Sequence, residues 1–471
     1  MIASIARNDW RMNLRSGVFI GLVIAIIALL IGAAALSSQR LASFERERSA
    51  AEAVDREVWD SQGARNPHSA AHFSRYAFKP LSPLMAFDPG VTDYAGLAVW
   101  MEAHYQNPAV FRRAEDLGDA GRFADLSPAW ILQYIAPLFL FLILFPVIAG
   151  EREQGTLQQM TAAGISATTL LWGKLTGALA IIAALLVIAL LLGFWSAGSG
   201  GAEILPDSTL RTLGLAAAYT VYLVAAGAIA IGISARCREK RTALIALVGV
   251  WAVCFILVPR LAASAAISFY PAPDATHVTH ELSEASSAFY EDDDYRAELE
   301  ATMLEKYDVQ TVEELPINYG GYSLQASEEH AEPLFEAVYA RLDGIYRQQE
   351  ALITAASIFS PVLAMESLSA GLAGTDRVHH RDFALAAEEH RRTIIQQLND
   401  DLTYNAGDAG YEYTNDKALW QSIADFEHRA PRFASLAPGY FLSALILLLY
   451  MLASLAFATW AVRRAQRTVA S

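Results

Sequence analysis

Six long apolar runs constrain this chain more than anything else in it. They cover residues 17–36, 128–149, 168–194, 210–233, 243–267 and 438–462. Crossing a hydrocarbon core of about 30 Å takes roughly 20 helical residues. A lone span in lipid must pair its backbone within itself, so each run is expected to be a helix. The chain is 54% hydrophobic with mean hydropathy +0.27, yet 18% of its residues are charged. That combination fits a membrane protein with large water-exposed parts. The expected fold is an all-α polytopic membrane protein with six transmembrane helices and two extracytoplasmic, mostly helical domains.

Basic residues beside the spans set the expected orientation. Arg7, Arg11 and Arg15 precede the first run; Arg236, Arg238, Lys240 and Arg241 separate the fourth from the fifth; Arg463, Arg464 and Arg467 follow the sixth. Six spans put all three clusters on one side, the cytoplasm, with both termini. Trp172 and Trp460 then mark inner ends, and Trp130, Trp195, Tyr270 and Tyr440 outer ends. Residues 270–437 hold 31 acidic against 11 basic side chains, −20 in a chain of net −15, which leaves +5 for the remainder. Acidity concentrated in one outer domain argues against a nucleic-acid partner. The two cysteines, Cys237 and Cys254, lie at different depths and form no disulfide framework. The first apolar run exceeds the 7–15 residues of a signal peptide core, so it reads as a retained span.

The remaining segments follow in order. Residues 1–16 read as a basic amphipathic helix at the inner interface. Residues 37–127 form a first outer domain that opens with a charged helix and continues as a loop shaped by proline. His68 and His72 stand at helical i,i+4 spacing, but no carboxylate or cysteine accompanies them at ligand spacing. Residues 150–167 are a polar link, 195–209 a short outer loop, and 234–242 a basic inner link. Residues 268–437 form the acidic second outer domain, with helices expected over 287–306, 328–358, 382–401 and 415–428. Within it, 351–374 is nearly apolar enough to span, but Pro361 and Glu366 interrupt it, so it reads as a buried or interface-lying helix pair. The His379-His380 stretch reads as helix surface, and the run 291–294 as a solvated acidic face. Residues 463–471 are a cytoplasmic tail.

Pro137 and Pro146 sit inside the second span, where each frees a carbonyl that a neighbour must satisfy. The chain lacks a Walker A motif, a His-Glu-x-x-His pair and a Gly-x-Ser-x-Gly elbow. No paired carboxylates inside the spans suggest a proton relay. The chain is therefore expected to be non-catalytic, with any energy arriving through its inner links.

The link 150–160 contains Glu151, Gly155, Thr156 and Leu157 in the pattern Glu-x-x-x-Gly-Thr-Leu. With the six spans and the amphipathic N-terminal helix, it resembles the permease subunits of type-2 ABC exporters. The segments Asn66-Pro-His-Ser-Ala-Ala-His72, Tyr76-Ala-Phe-Lys-Pro80, Phe87-Asp-Pro-Gly90 and Ala373-Gly-Thr-Asp376 with His379-His380 are similar to a subfamily with large outer domains of unassigned function. The resemblance implies a bacterial inner-membrane permease whose link docks as a coupling helix on a separate cytoplasmic ABC ATPase. ATP and Mg would be bound by that partner, with no cofactor or metal in this chain. It also implies a second permease copy or a sister permease, and leaves room for an extracytoplasmic partner protein. Glu151, Arg152 and Glu153 would then make charged contacts with the ATPase. Arg236, Arg238, Lys240 and Arg241 would contact it too or bind anionic membrane lipid. The cargo is not named by any of this, and the chain could instead transmit ATPase motion to outer proteins.

Overall fold

The computed structural model describes residues 1–73, 75–112, 126–199 and 205–470, so part of the short loop 195–209 lies outside the described residues, as does the Trp195 side chain. Helix α1 (Ile2–Asn13) leads into α2 (Gly17–Asp60). A short α3 (Pro67–Ala71) and strands β1 (Arg75–Phe78) and β2 (Ala98–Met101) follow. Then come α4 (Pro128–Glu153), α5 (Thr156–Ala162), α6 (Ala167–Ser199), α7 (Ser208–Arg236) and α8 (Lys240–Phe269). The second polar stretch holds α9 (Ala275–Glu291), α10 (Asp293–Tyr307), α11 (Tyr319–Ala356), α12 (Pro361–Ala373), α13 (Arg377–Asn405) and α14 (Lys417–Ser422). Helix α15 (Phe433–Ala470) closes the chain. Six helices, α2, α4, α6, α7, α8 and α15, are long and apolar enough to cross a membrane.

The centre of the bundle is α7. Its small residues Ala225, Ala226, Gly227, Ala228 and Ala230 pack inward, and it runs against α15 along much of its length. Contact is closest at Gly232, where an added Cβ would fall 2.5 Å from the Phe457 ring. Small residues permit this approach, and dispersion over the shared length holds the pair.

Proline shapes the second span, α4, at two points, as expected. Pro137 removes the donor that would serve the carbonyl of Gln133, and a π-helical turn occupies Ile131–Ile135. The Tyr222 hydroxyl donates to that carbonyl instead. At Pro146 the helix breaks beside Phe145, and Ser234 repairs the break. Its Oγ accepts from the amides of Ile148 and Ala149, both at 3.1 Å, and donates to the Phe145 carbonyl at 2.7 Å. A second π-helical turn spans Ala252–Leu257 in α8, and the Ser360 hydroxyl donates to the carbonyl of Cys254.

The first span and the charged stretch after it form one continuous 44-residue helix. Its far half belongs to the first of the two stretches read as separate outer domains. These stretches share a core: Trp59, Ala77, Val99 and Met101 pack with Phe383, Ile394, Leu398 and Trp420. Trp59 Nε1 donates to the Trp420 carbonyl and Trp420 Nε1 to the Gly63 carbonyl, both at 2.9 Å. An isolated bridge joins Arg65 to Asn415. The loop expected after the charged helix contains a small antiparallel sheet, with Arg75 opposite Met101 and Phe78 opposite Ala98.

In the second stretch, the helix expected over 287–306 is two helices. Asp292 separates them, its carboxylate accepting from the Tyr295 amide. The neighbouring acidic residues Glu291, Asp293 and Asp294 face solvent, as expected. The apolar run over 351–374 does not span. It divides into the end of α11 and α12, whose Val362, Ala364, Met365 and Leu372 are buried in the core of the bundle. Glu366, the residue that argued against a span, accepts a 2.5 Å hydrogen bond from the Tyr134 hydroxyl.

Because both tryptophans are almost wholly buried, Trp420→Ala should remove about 3–5 kcal/mol from this joint body. Limited proteolysis of the detergent-solubilised chain should then cut between residues 60 and 110 under conditions that leave the parent intact.

Candidate functional site

The polar link forms an elbow at one end of the bundle, and its sequence is a folding instruction. Helix α4 needs a left-handed residue to end, and Gly155 supplies it at φ +74°. The Gly155 amide closes on the Arg152 carbonyl at 3.2 Å. Thr156 follows, and its hydroxyl reaches the Glu151 carbonyl at 3.1 Å and the Glu151 carboxylate. Leu157 then turns inward and is fully buried. Helix α5 ends in a Schellman turn at Gly164, φ +76°. There the Gly164 amide bonds Thr161 at 3.0 Å and the Ile165 amide bonds Met160 at 3.1 Å. The Glu151, Gly155, Thr156 and Leu157 spacing thus builds the bend itself.

The three charges of the link each bind a different helix. Glu151 Oε1 lies 2.7 Å from Lys174 Nζ on α6, and the same ammonium lies 2.8 Å from Asp9 Oδ1 on α1. The Lys174 side chain is 3% exposed, so this is a buried triad rather than a surface ion pair. Burial raises the Asp9 carboxyl above its ordinary range in spite of the ammonium beside it. Ile5 seats against Gly173 one residue away, where an added Cβ would come within 2.7 Å of it. The expected amphipathic helix is therefore packed on α6.

Arg152 donates to the carbonyls of Ala235, at 3.0 Å, and Cys237, satisfying the C-terminal end of α7. Glu153 accepts from the Lys240 amide at 2.8 Å and so serves the N-terminal end of α8. Gln466 on α15 donates to the Ile165 carbonyl at 2.9 Å. Five other helices are thereby fastened to one short bend.

Of the residues expected to face a partner, Glu151 and Arg152 are half-buried in these internal bonds, and Glu153 is exposed while braced to α8. The freely presented surface of the elbow is Gln154, Gln158, Gln159 and Ala162–Ala163. Arg236, Arg238, Lys240 and Arg241 are all exposed at the same end, with Arg463, Arg464 and Arg467. Arg236 also stacks over Trp460 at 5.3 Å. Reading the sequence missed Lys174 and Asp9 as partners of the link. Only the packing of α1 on α6 brings them to it.

The opposite end of α7 has its own joint. Arg211 is fully buried and donates to the carbonyls of Gly371 at 3.1 Å, Leu372 at 3.3 Å, Pro206 at 3.0 Å and Pro431 at 2.7 Å. His379 lies beside it, 2% exposed, its Nδ1 2.6 Å from Asp376, which also accepts from the Tyr440 hydroxyl. The surface reading of His379 is thus corrected: the turn at Gly374, φ +75°, folds the start of α13 onto the bundle. His380 is half-buried, and its Nδ1 has no hydrogen-bond partner among the described residues.

Residues 278–429, which run from α9 to just beyond α14, match the model of a family described as a domain of unknown function (DUF3526). No curated protein matches the chain.

Two expectations follow. Lys174→Met should strand two buried carboxylates and cost about 3–5 kcal/mol, read as a lower unfolding midpoint in detergent. Adding Asp9→Asn and Glu151→Gln should recover most of it. Burial, with the charges of Lys79 and Arg112, pushes His380 down to about 3. The unfolded chain then binds the extra proton from its ordinary value near 6.5 downward, so this stability is complete above about pH 6.5 and lost as pH falls toward 3. His380→Phe should flatten that acid limb, and an unchanged limb would refute the assignment.

Proposed function

We propose that the chain is the permease subunit of an ATP-driven ABC exporter of the bacterial inner membrane. In this reading the elbow end and both termini are cytoplasmic. A separate ATPase subunit, carrying ATP and Mg, docks on the elbow, and the chain itself is not an enzyme. The permease pairs with a second copy or a sister permease, since six spans supply half a pathway. The observation that carries this is the elbow. A bend that grips α1, α6, α7, α8 and α15 through polar bonds would pass any push on α5 to all five.

The internal bonding of Glu151, Arg152 and Glu153 changes their proposed role. They brace the elbow, and the docking contacts fall to Gln154, Gln158 and Gln159. The exposed arginines around them would meet acidic groups of the ATPase or anionic headgroups.

A second reading has its own support. Arg211 ties α7 to α12 and to the start of α15 at the far end, while α2 runs unbroken into the polar body. Motion delivered at the elbow would reach that body through α7 and α2, with or without a substrate crossing. In this mechanotransmission reading, the work is done on an outer partner protein.

Purification from native membranes distinguishes these. An ATPase should copurify with the chain, and Gln158→Lys with Gln159→Lys should lower its recovery about tenfold, a loss of about 1.4 kcal/mol. The unfolding midpoint should stay unchanged, because both side chains are exposed. Undiminished recovery would sink the docking surface. A small molecule or lipid retained between the spans speaks for export, and an outer protein retained on the polar body without one speaks for mechanotransmission.

A further inference from the structure

The two histidines of the Asn66–His72 segment gain a third partner that their spacing does not reveal. Helix α3 begins at Pro67 with the Asn66 side chain accepting from the His68 amide at 2.9 Å. That helical turn brings His68 and His72 together, Nε2 to Nε2 at 3.2 Å. His104, just past β2, joins them through the β1–β2 pairing, with ring centroids 5.1 Å from His68 and 5.3 Å from His72. One ring nitrogen from each of the three lies within 4.8 Å of the others.

His104 is held in place. Its backbone is left-handed, φ +63°, a conformation that costs a non-glycine residue and persists only where its surroundings impose it. Glu328 of α11 imposes it here. Its Oε1 accepts the His104 amide at 2.8 Å and sits 2.5 Å from His104 Nδ1, which leaves Nε2 free for another partner. Glu328 is in turn fixed by Arg391, 3.1 Å away on α13. A carboxylate on the far nitrogen of an imidazole is the usual outer support of a metal-ligating histidine, since it sets the tautomer and aims the ring.

We propose that His68, His72 and His104 bind one divalent transition-metal ion of the imidazole-preferring class, zinc foremost. Tetrahedral zinc with Zn–N of about 2.0–2.1 Å sets its ligand atoms roughly 3.3 Å apart. The His68–His72 pair already has that separation, and the third nitrogen lies within a small side-chain adjustment of it. Three imidazoles without a thiolate suit Zn, Cu or Ni rather than Ca or Mg, which take oxygen ligands. His72 is exposed, so a fourth position stays open to solvent or to a ligand atom from elsewhere. The site lies on the seam between the two polar stretches, with Glu328 on one side and all three histidines on the other. It does not depend on the transport reading.

The test uses the full chain in detergent, with its affinity tag removed and metals stripped by chelator, titrated with zinc chloride alone in a calorimeter. Binding of one equivalent is expected, with a rise in unfolding midpoint. Cobalt chloride should give the visible absorption of a tetrahedral nitrogen site. His72→Ala removes an exposed ligand without disturbing the fold and should abolish the one-equivalent phase. Glu328→Gln should weaken it about 10–100-fold. Absence of stoichiometric binding in the parent overturns the proposal. So does binding that His72→Ala and His104→Gln leave unchanged.

Discussion

Where water is excluded, a backbone carbonyl or amide without a partner costs several kcal/mol. This chain interrupts its helices repeatedly inside the bundle, and each interruption is closed by a polar side chain from a neighbour. Tyr222 closes the gap opened by Pro137, and Ser234 bridges the ladder beside Pro146, between the Phe145 carbonyl and the Ile148 and Ala149 amides. Arg152 holds the last carbonyls of α7, and Arg211 those of α12. These are few residues on an apolar background, and each converts a helix end into a fixed point. A bundle of smooth spans could slide, whereas this one is pinned where its helices bend.

The same pins arrange the functional geography. Both ends of α7 are gripped by arginine, one at the elbow and one at the joint with the polar body. The elbow collects every charge in its neighbourhood that could otherwise be left unpaired in a half-buried place. Its surface is thereby reduced to glutamines and small residues inside an exposed basic rim. If the elbow docks a partner as proposed, that face would rely on shape and hydrogen bonding at its centre, with charge confined to the periphery, as specific interfaces generally do.

Much of this was legible in the sequence. The six spans, the proline kinks, the bend at Gly155 and the interruption at Pro361 follow from hydropathy and backbone chemistry, which act locally. Residues paired across long distances were not legible. Nothing local marks Lys174 as a partner of the link, and only the return of α1 onto α6 shows that Asp9 and Glu151 claim it. His379 reads as surface because its helix is polar, yet a single left-handed turn at Gly374 carries it inward. His104 looks unrelated to His68 and His72 until the β1–β2 register is known. The Trp59–Trp420 pairing, which fuses two stretches more than 350 residues apart, carries no local signal at all.

The 44-residue helix α2 has a geometric consequence. At 1.5 Å per residue it is about 66 Å long, and only its first half lies among the spans. A rigid rod of that length amplifies angle into distance. Rocking it by about 5° around the elbow end would carry its far tip roughly 6 Å, more than the pitch of a helical turn. Trp59 sits at that tip, inside the shared core, so the whole polar body would be swung as one piece by an angular change too small to unpack the bundle below it.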